Sequence, residues 1–151
     1  MKLSTKTRYA TRAMLDLATQ TGKGPVIIKD ISKRQGISCL YLEQLLSRLN
    51  NAGLVTSMRG PKGGFMLTKL PSETKISEIL QIMEGSTALV DCVDNTALCP
   101  HSKLCVSRKV WIDMKKAMDE VLKSTTLQDL VDKEKQSRPK RNSPPKVRHG
   151  K

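Results

Sequence analysis

The stretch from residue 30 to residue 52 constrains the fold more than any other part of the sequence. Asp30 or Ser32 can start a short helix, and Gly36 can end it because glycine readily adopts the left-handed conformation. Ser38 is well suited to cap the next helix. That helix has one apolar stripe, formed by Leu42, Leu45, Leu46 and Leu49. A short helix, a tight turn and an amphipathic helix with a polar outer face predict a helix-turn-helix.

Segment 54–69 adds a β-hairpin directly after the second of these helices. LVTSMR and GFMLTK indicate two strands, and glycines and a proline occupy the turn between them. Arg59 and Lys62 lie at the tip, where a cation can enter the minor groove or meet a phosphate. The combination predicts a winged helix-turn-helix that contacts DNA.

Further elements are indicated around this unit. Residues 5–20 form a first helix, a short β-type run covers 26–28, and Ser72 can cap a helix with Ile76, Ile79, Leu80 and Met83 on one face. A long helix near the C-terminus has a stripe formed by Leu104, Val110 or Trp111, Met114, Met118, Val121 and Leu122. This stripe is too long and apolar for a lone surface helix, so we expect antiparallel dimerisation through it. The predicted fold class is mainly α, a winged helix-turn-helix with a β-hairpin wing and a long C-terminal dimerisation helix.

The charge of the chain indicates a polyanionic partner. A net charge of +13 attracts nucleic acid through counterion release. Segment 133–151 holds part of this charge and is predicted to be a disordered basic tail, but segment 1–69 is also strongly basic. We therefore expect a double-stranded DNA operator as partner. The predicted DNA contacts are Ser38, Tyr41, Glu43, Gln44, Arg48, Arg59 and Lys62.

Three cysteines lie close together in CVDNTALCPHSKLC, residues 92–105. Cys92, Cys99 and Cys105 are too far apart for a C-x-x-C redox pair or the knuckles of a zinc ribbon. Soft thiolates in a reduced cytosol suit iron-sulfur or zinc, and redox thiols are the alternative. Cys39, at the start of the recognition helix, is expected to pack or to face the DNA groove. No companion catalytic histidine accompanies the thiols, so we do not expect an enzyme.

The sequence resembles the Rrf-type winged-helix transcriptional regulators, most of all the iron-sulfur regulators of the IscR group. The resemblance rests on MKLSTKTRYATRAMLDLA, DISKRQGIS, YLEQLLSRL, GLVTSMRGPKGGFML and three cysteines ahead of a long Trp-bearing helix. It covers roughly residues 1–130. It implies a homodimeric transcription factor in which Cys92, Cys99 and Cys105 ligate an iron-sulfur cluster, 2Fe-2S rather than 4Fe-4S, whose occupancy changes DNA binding.

The resemblance does not supply a fourth cluster ligand. IscR-like proteins have a histidine three residues after the last cysteine, where this sequence has Arg108. Nitric-oxide-sensing relatives use an acidic residue in the first helix, where this sequence has Arg8. His101 is the candidate within the loop, and Asp91, Asp94, a small thiol or water remain open.

We divide the chain into a DNA-binding domain (1–84), a cysteine loop (85–106), a dimerisation helix with a short following helix (107–132) and the basic tail (133–151). The expected function is control of iron-sulfur biogenesis or related stress genes, as repressor or activator. The alternatives are a nitric-oxide or redox sensor, a regulator of cysteine metabolism, and a zinc-stabilised DNA-binding module. No apolar run is long enough for a membrane span and no signal peptide is evident, so a cytoplasmic location is expected.

Overall fold

The computed structural model describes residues 2–138. Within them the chain forms six α-helices and one antiparallel two-stranded sheet. In chain order the elements are α1 (Thr5–Thr19), α2 (Ile28–Gln35), α3 (Cys39–Asn51), β1 (Val55–Met58), β2 (Gly64–Leu67), α4 (Ile76–Met83), α5 (Val106–Ser124) and α6 (Leu127–Ser137). Short 3-10 turns cover Pro71–Glu73, Asp91–Val93 and Thr96–Leu98. The predicted mainly α fold with a winged helix-turn-helix and a long C-terminal helix is confirmed, and dimerisation through that helix stays a prediction.

Helices α2 and α3 form the predicted helix-turn-helix. Gly36 ends α2 in the left-handed conformation, with φ 65°, and the Ser38 hydroxyl accepts a hydrogen bond from the backbone N–H of Tyr41 at the start of α3. The start of α2 at Asp30 or Ser32 is predicted too late. The extended residue Ile27 precedes the helix, and its carbonyl accepts from the Asp30 N–H at 3.1 Å, so α2 starts without a side-chain cap.

The wing is pinned to the segment before α2. Val26 exchanges two backbone hydrogen bonds of 2.8 Å with Phe65 of β2, which makes a third, one-residue strand. Only this residue of the predicted β-type run 26–28 pairs in the sheet. Gly64 has φ 151°, and a Cβ there would collide with the backbone of Val26. The close approach of the two backbones therefore requires glycine at this position.

Helix α4 begins later than its predicted cap at Ser72. Residues Pro71–Glu73 form a separate 3-10 turn, and α4 starts after Lys75. The Glu78 carboxylate accepts the Lys75 backbone N–H at 2.9 Å and closes the first turn of α4. The predicted apolar face is buried, as Ile76, Ile79, Leu80 and Met83 all lie in the core.

Helix α6 returns to the main core, against α1. Leu127 and Val131 are buried at its inner face, and Thr126 with Asp129 forms its capping box. Because this anchored helix continues to Ser137, the prediction that disorder begins at residue 133 is wrong for residues 133–137. The rest of the predicted tail, residues 139–151, lies outside the described residues. No helix between residues 2 and 138 has the length and apolar character needed to cross a membrane.

Candidate nucleic-acid interface and cysteine loop

Helix α3 presents a polar face to solvent because its leucines fix its rotation. Leu42, Leu45, Leu46 and Leu49 are each at most 1% exposed. This burial turns the opposite side of α3 outward. The predicted DNA-contacting side chains Ser38, Glu43, Gln44 and Arg48 are all exposed there. They are therefore accessible to a binding partner.

Tyr41, also among the predicted DNA contacts, is only partly exposed. Its ring lies edge-on to that of Tyr9 in α1, with the centroids 5.8 Å apart. The Arg12 guanidinium lies 5.4 Å from the Tyr9 ring centre. Arg12 also donates hydrogen bonds to the backbone carbonyl and the side chain of Gln35, at the end of α2. Tyr41 therefore joins the recognition helix to α1 as well as bordering the polar surface.

An ion pair between the buried Asp16 of α1 and the solvent-exposed Arg34 of α2 holds the two helices together, and no sequence pattern predicted it. Asp16 is 3% exposed and accepts two hydrogen bonds from Arg34, of 2.9 and 2.7 Å, and a third of 3.1 Å from Gln35. The hydrogen bond to Asp16 raises the pKa of the Arg34 guanidinium. The signal that could have revealed this contact is Asp16 itself, a carboxylate among the apolar residues of α1. Because removing Arg34 would leave the buried Asp16 carboxylate without its ion-pair partner, this contact helps to hold α2 against α1.

The wing turn carries the predicted cations into solvent. Arg59 and Lys62 are both exposed. Among residues 2–138, neither they nor Arg48 lies within ion-pair distance of a carboxylate. A Cβ on Gly63 would collide with the carbonyl oxygen of Met58, so the tight turn requires glycine there. The positive charges of Arg48 on α3 and of Arg59 and Lys62 on the wing are thus available to an anionic partner.

The cysteine loop, residues 85–106, spaces its thiols along two 3-10 turns. Cys92 lies within the first turn, Cys99 directly follows the second, and Cys105 precedes α5. All three thiols are free and partly exposed. No group of three His, Cys, Asp or Glu side chains among the described residues is arranged as a metal site. The three thiols suit a soft metal or an iron-sulfur cluster as ligands. Binding one would require the loop to bring the thiols closer together than they lie in this structure.

The candidate fourth ligands point to no single choice. His101 and the carboxylates Asp91 and Asp94 are exposed. Asp94 lies 3.9 Å from Lys115 of α5. The structure brings none of them into a common site with the cysteines. Cys39 is partly exposed at the first position of α3.

Arg108 ties the loop to α5. Its Nε donates to the Cys92 carbonyl at 2.8 Å and its Nη2 donates to the Val93 carbonyl at 3.4 Å. The same helix end affects Cys105, where the hydrogen bond from the Ser107 hydroxyl lowers the pKa of the thiol, with help from the Arg108 backbone N–H. Arg108 thus acts on backbone carbonyls of the loop, and its positive charge favours the neighbouring thiolate.

Glu84 connects the loop to the N-terminus of α1. It precedes the cysteine loop, and its carboxylate accepts from the Ser4 backbone N–H at 2.9 Å, from the Ser4 hydroxyl and from the Thr7 hydroxyl at 2.5 Å. These hydrogen bonds, that of the Ser4 hydroxyl foremost, lower the pKa of Glu84 to about 2. The beginning of the loop is therefore fastened to the same helix that contacts Tyr41.

Helix α5 exposes its apolar stripe. None of its nineteen residues is buried. Val110 is 52% exposed, Trp111 36%, Met114 37% and Val121 64%. Met118 and Leu122, also in the predicted stripe, are partly exposed, and Leu104, just before the helix, is exposed. A contiguous apolar face of this kind is typical of a surface that another molecule covers.

The chain is similar to known transcriptional regulators over most of its length. Residues 3–133 match the Rrf2 family, described as iron-dependent transcriptional regulators. The HTH-type transcriptional regulator IscR of Photorhabdus laumondii is 42% identical over 131 residues, which are 87% of this chain and 79% of that protein.

Two solved structures share the fold at comparable identity. T. potens IscR is 38% identical with a TM-score of 0.77, and the match covers 94% of each chain. CymR, the global cysteine regulator of B. subtilis, is 39% identical with a TM-score of 0.75, and the match covers 88% of this chain and 98% of that one.

Proposed function

The chain belongs to the Rrf2 family of transcriptional regulators and is not an enzyme, and from this premise we propose that it is a homodimeric, cytoplasmic regulator that senses iron-sulfur status. The observation that carries the proposal is the position of three free thiols between the winged helix-turn-helix and an uncovered helix. A conformational change in a loop at this position can shift both the winged helix-turn-helix before it and α5 after it.

Sequence recognition is assigned to α3 and the wing. Glu43 and Gln44 can hydrogen-bond with base edges in the major groove, a carboxylate accepting from cytosine and an amide pairing with adenine. Arg59 and Lys62 are suited to the minor groove or to phosphates. Two heads are needed for a two-fold operator, and the exposed face of α5 is the surface proposed to join them.

Cluster binding is assigned to Cys92, Cys99 and Cys105. A bound iron-sulfur cluster supplies a cross-link between distant points of the loop that depends on iron supply and redox conditions. We favour 2Fe-2S, with His101 as the candidate fourth ligand and Asp91 or Asp94 as alternatives. Arg108, near the start of α5, donates to the Cys92 carbonyl, and Cys105 directly precedes the same helix.

The proposed target genes are those of iron-sulfur biogenesis or related stress responses. The signal can travel from the loop through Glu84 to Ser4 and Thr7, and along α1 to the Tyr9–Tyr41 contact. Because α3 carries Tyr41, a change in the loop can alter how the recognition helix is held. This route is a connected series of contacts, and its coupling is testable by substitution.

The metal content of the protein tests this proposal. Full-length protein purified without oxygen is expected to be red-brown and to contain iron and sulfide. Replacing Cys92, Cys99 or Cys105 by Ala should abolish the visible absorbance, while Cys39→Ala, the matched control, should retain it. Zinc in place of iron in colourless protein would instead identify a zinc-stabilised DNA-binding module.

A second candidate is a regulator of cysteine metabolism. The similarity to CymR, the global cysteine regulator of B. subtilis, favours it. In that case purified protein should contain neither iron nor zinc, and the loop cysteines should be dispensable for DNA binding. Nitric oxide sensing by a bound cluster is distinguished from iron-sulfur sensing by whether nitric oxide changes DNA affinity at constant iron supply.

A further inference from the structure

Leu40 departs from the pattern of the recognition helix. The other four leucines of α3 are at most 1% exposed, whereas Leu40 is 69% exposed. It occupies the second position of the helix, in the first turn. In a helix-turn-helix the N-terminal part of the second helix is the part that meets base edges. An exposed leucine therefore lies where base contacts are made.

Helix geometry places Leu40 at the centre of the outward face. At about 100° per residue, Leu40 lies roughly 170° from the mean direction of the buried leucine stripe. Glu43 and Gln44, three and four positions later, flank the same direction, and Ser47 follows one turn further along. All three are exposed. Leu40 is thus an apolar side chain within a polar reading surface.

The surroundings of Leu40 indicate which partner covers it. The same face is bordered by Arg48 on α3, and the wing adds Arg59 and Lys62, so an anionic partner is favoured over a second copy of this basic protein. On duplex DNA the apolar group presented in the major groove is the 5-methyl group of thymine. We propose that Leu40 contacts the 5-methyl group of one thymine in each operator half-site. This inference rests on the proposed DNA-binding function.

The test uses full-length protein and DNA that differs by single methyl groups. A binding sequence is first selected from a pool of randomised duplexes with the wild-type protein. Each thymine of the selected duplex is then replaced in turn by deoxyuridine, which lacks only the 5-methyl group. Affinities are measured for wild type, for Leu40→Ala, and for Leu70→Ala, a control leucine that is 58% exposed between the wing and α4.

Replacing the contacted thymine of one half-site by deoxyuridine should weaken wild-type binding about fourfold, as expected for the loss of one buried methyl group. The Leu70→Ala control should show the same loss. Leu40→Ala should bind the thymine and deoxyuridine duplexes equally, within about twofold, while keeping the melting temperature of wild type because residue 40 packs against nothing in the core.

Three results would overturn the contact with Leu40. These are a selected half-site without thymine, no position at which the methyl group matters, or a methyl effect that persists unchanged in Leu40→Ala. Each of them leaves the proposed function intact, since specific binding is still observed. Failure of the wild type to enrich any sequence contradicts the proposed function itself.

Discussion

The DNA-binding head, residues 5–83, and the segment that follows it, residues 84–124, differ in how their apolar residues are covered. Among residues 2–138, the head supplies seventeen of the nineteen buried hydrophobic side chains of the core, and α6 supplies the remaining two, Leu127 and Val131. Between Met83 and Leu127 no apolar residue is buried, and Ser102 is the one buried residue there. The head and α6 therefore share one core, whereas the segment between them has none of its own.

Polar ties take the place of a core in the second region. Arg108 holds the Cys92 carbonyl, and Lys115 lies 3.3 Å from Asp119, which accepts a 2.6 Å hydrogen bond from Thr87. These contacts are only partly buried, and each such hydrogen bond contributes about 1 kcal/mol to stability. The difference shows that the head, with α6 packed on it, is held together by buried apolar contacts within one chain. The apolar side chains of α5 and the cysteine loop lack such contacts within one chain. A second chain and a cofactor are the proposed sources.

The largest expected effect is in the head. Leu46→Ala should reduce the free energy of unfolding by about 2–5 kcal/mol, because Leu46 is fully buried and its loss leaves a cavity. Chemical denaturation measures the loss. Leu40→Ala on the same helix is the matched control and should change stability by no more than about 0.5 kcal/mol. A similar loss in both variants would show that the core of the head is not where the structure places it.

The next effect concerns the uncovered face of α5. Trp111→Asp should weaken dimerisation roughly 30-fold or more, the effect of losing an interface residue that carries at least about 2 kcal/mol. Sedimentation at several protein concentrations measures it. Lys116→Ala, on the opposite side of the helix, should leave the dimer intact. A Trp111→Asp protein that remains a dimer at the same concentrations would place the interface elsewhere.

DNA affinity separates the two kinds of contact within the head. Arg59→Ala should lower affinity across most sites by roughly 1–3 kcal/mol, since it removes one phosphate or minor-groove contact. Glu43→Ala should relax the preference among sites while leaving affinity for poor sites unchanged or higher, because a carboxylate near phosphates acts by rejecting wrong bases. Binding to single-base variants of a selected duplex, at fixed salt, measures both. A uniform loss of affinity in Glu43→Ala with the same preference would show that Glu43 does not face the bases.

The smallest expected effect lies at the boundary of the two regions. The Glu84 pKa is lowered from its ordinary value of 4.5 to about 2, so its contribution to stability is present above about pH 4.5 and is lost as the pH falls toward about 2. Because the side chain is exposed, the contribution is about 1 kcal/mol or less.

Urea unfolding across this pH range measures the Glu84 effect. Glu84→Gln should be less stable than wild type near pH 6, and the difference should shrink as the pH falls from about 4.5 toward about 2. Glu120→Gln, with an exposed carboxylate on α5, is the control. A constant difference between wild type and Glu84→Gln at every pH would show that the charge of Glu84 does not stabilise the head.

Local signals were sufficient to predict the head from sequence. The left-handed Gly36, the Ser38 cap and the leucine stripe act within a few residues of one another, and the structure contains all three. Boundaries were less accurate where no side-chain cap marks them, as at the start of α2. The Asp16–Arg34 pair was missed because it joins residues eighteen positions apart, which no helical period reveals.

The candidate site was predictable in composition and not in arrangement. The three cysteines of the loop indicate soft metal ligands, but the structure does not bring them together into one site. The conformation of the loop depends on contacts such as the hydrogen bond from Arg108 to the Cys92 carbonyl. In the sequence, Arg108 is notable only because it occupies the position of the histidine ligand of IscR-like proteins. Its role as a hydrogen-bond donor to the loop backbone follows from the fold, because the fold brings Cys92 close to Arg108 at the start of α5.

The central claim is that the state of the cysteine loop controls DNA binding by the head, and one measurement tests it most directly. The affinity of full-length protein for a selected duplex is measured at fixed salt, anaerobically, before and after removal of its iron with a chelator. The account predicts a change of about fivefold or more, the usual range of coupling between two sites. It also predicts no change in a variant with Cys92, Cys99 and Cys105 all replaced by Ala. Equal affinity of the two wild-type forms at matched dimer concentration would contradict the account.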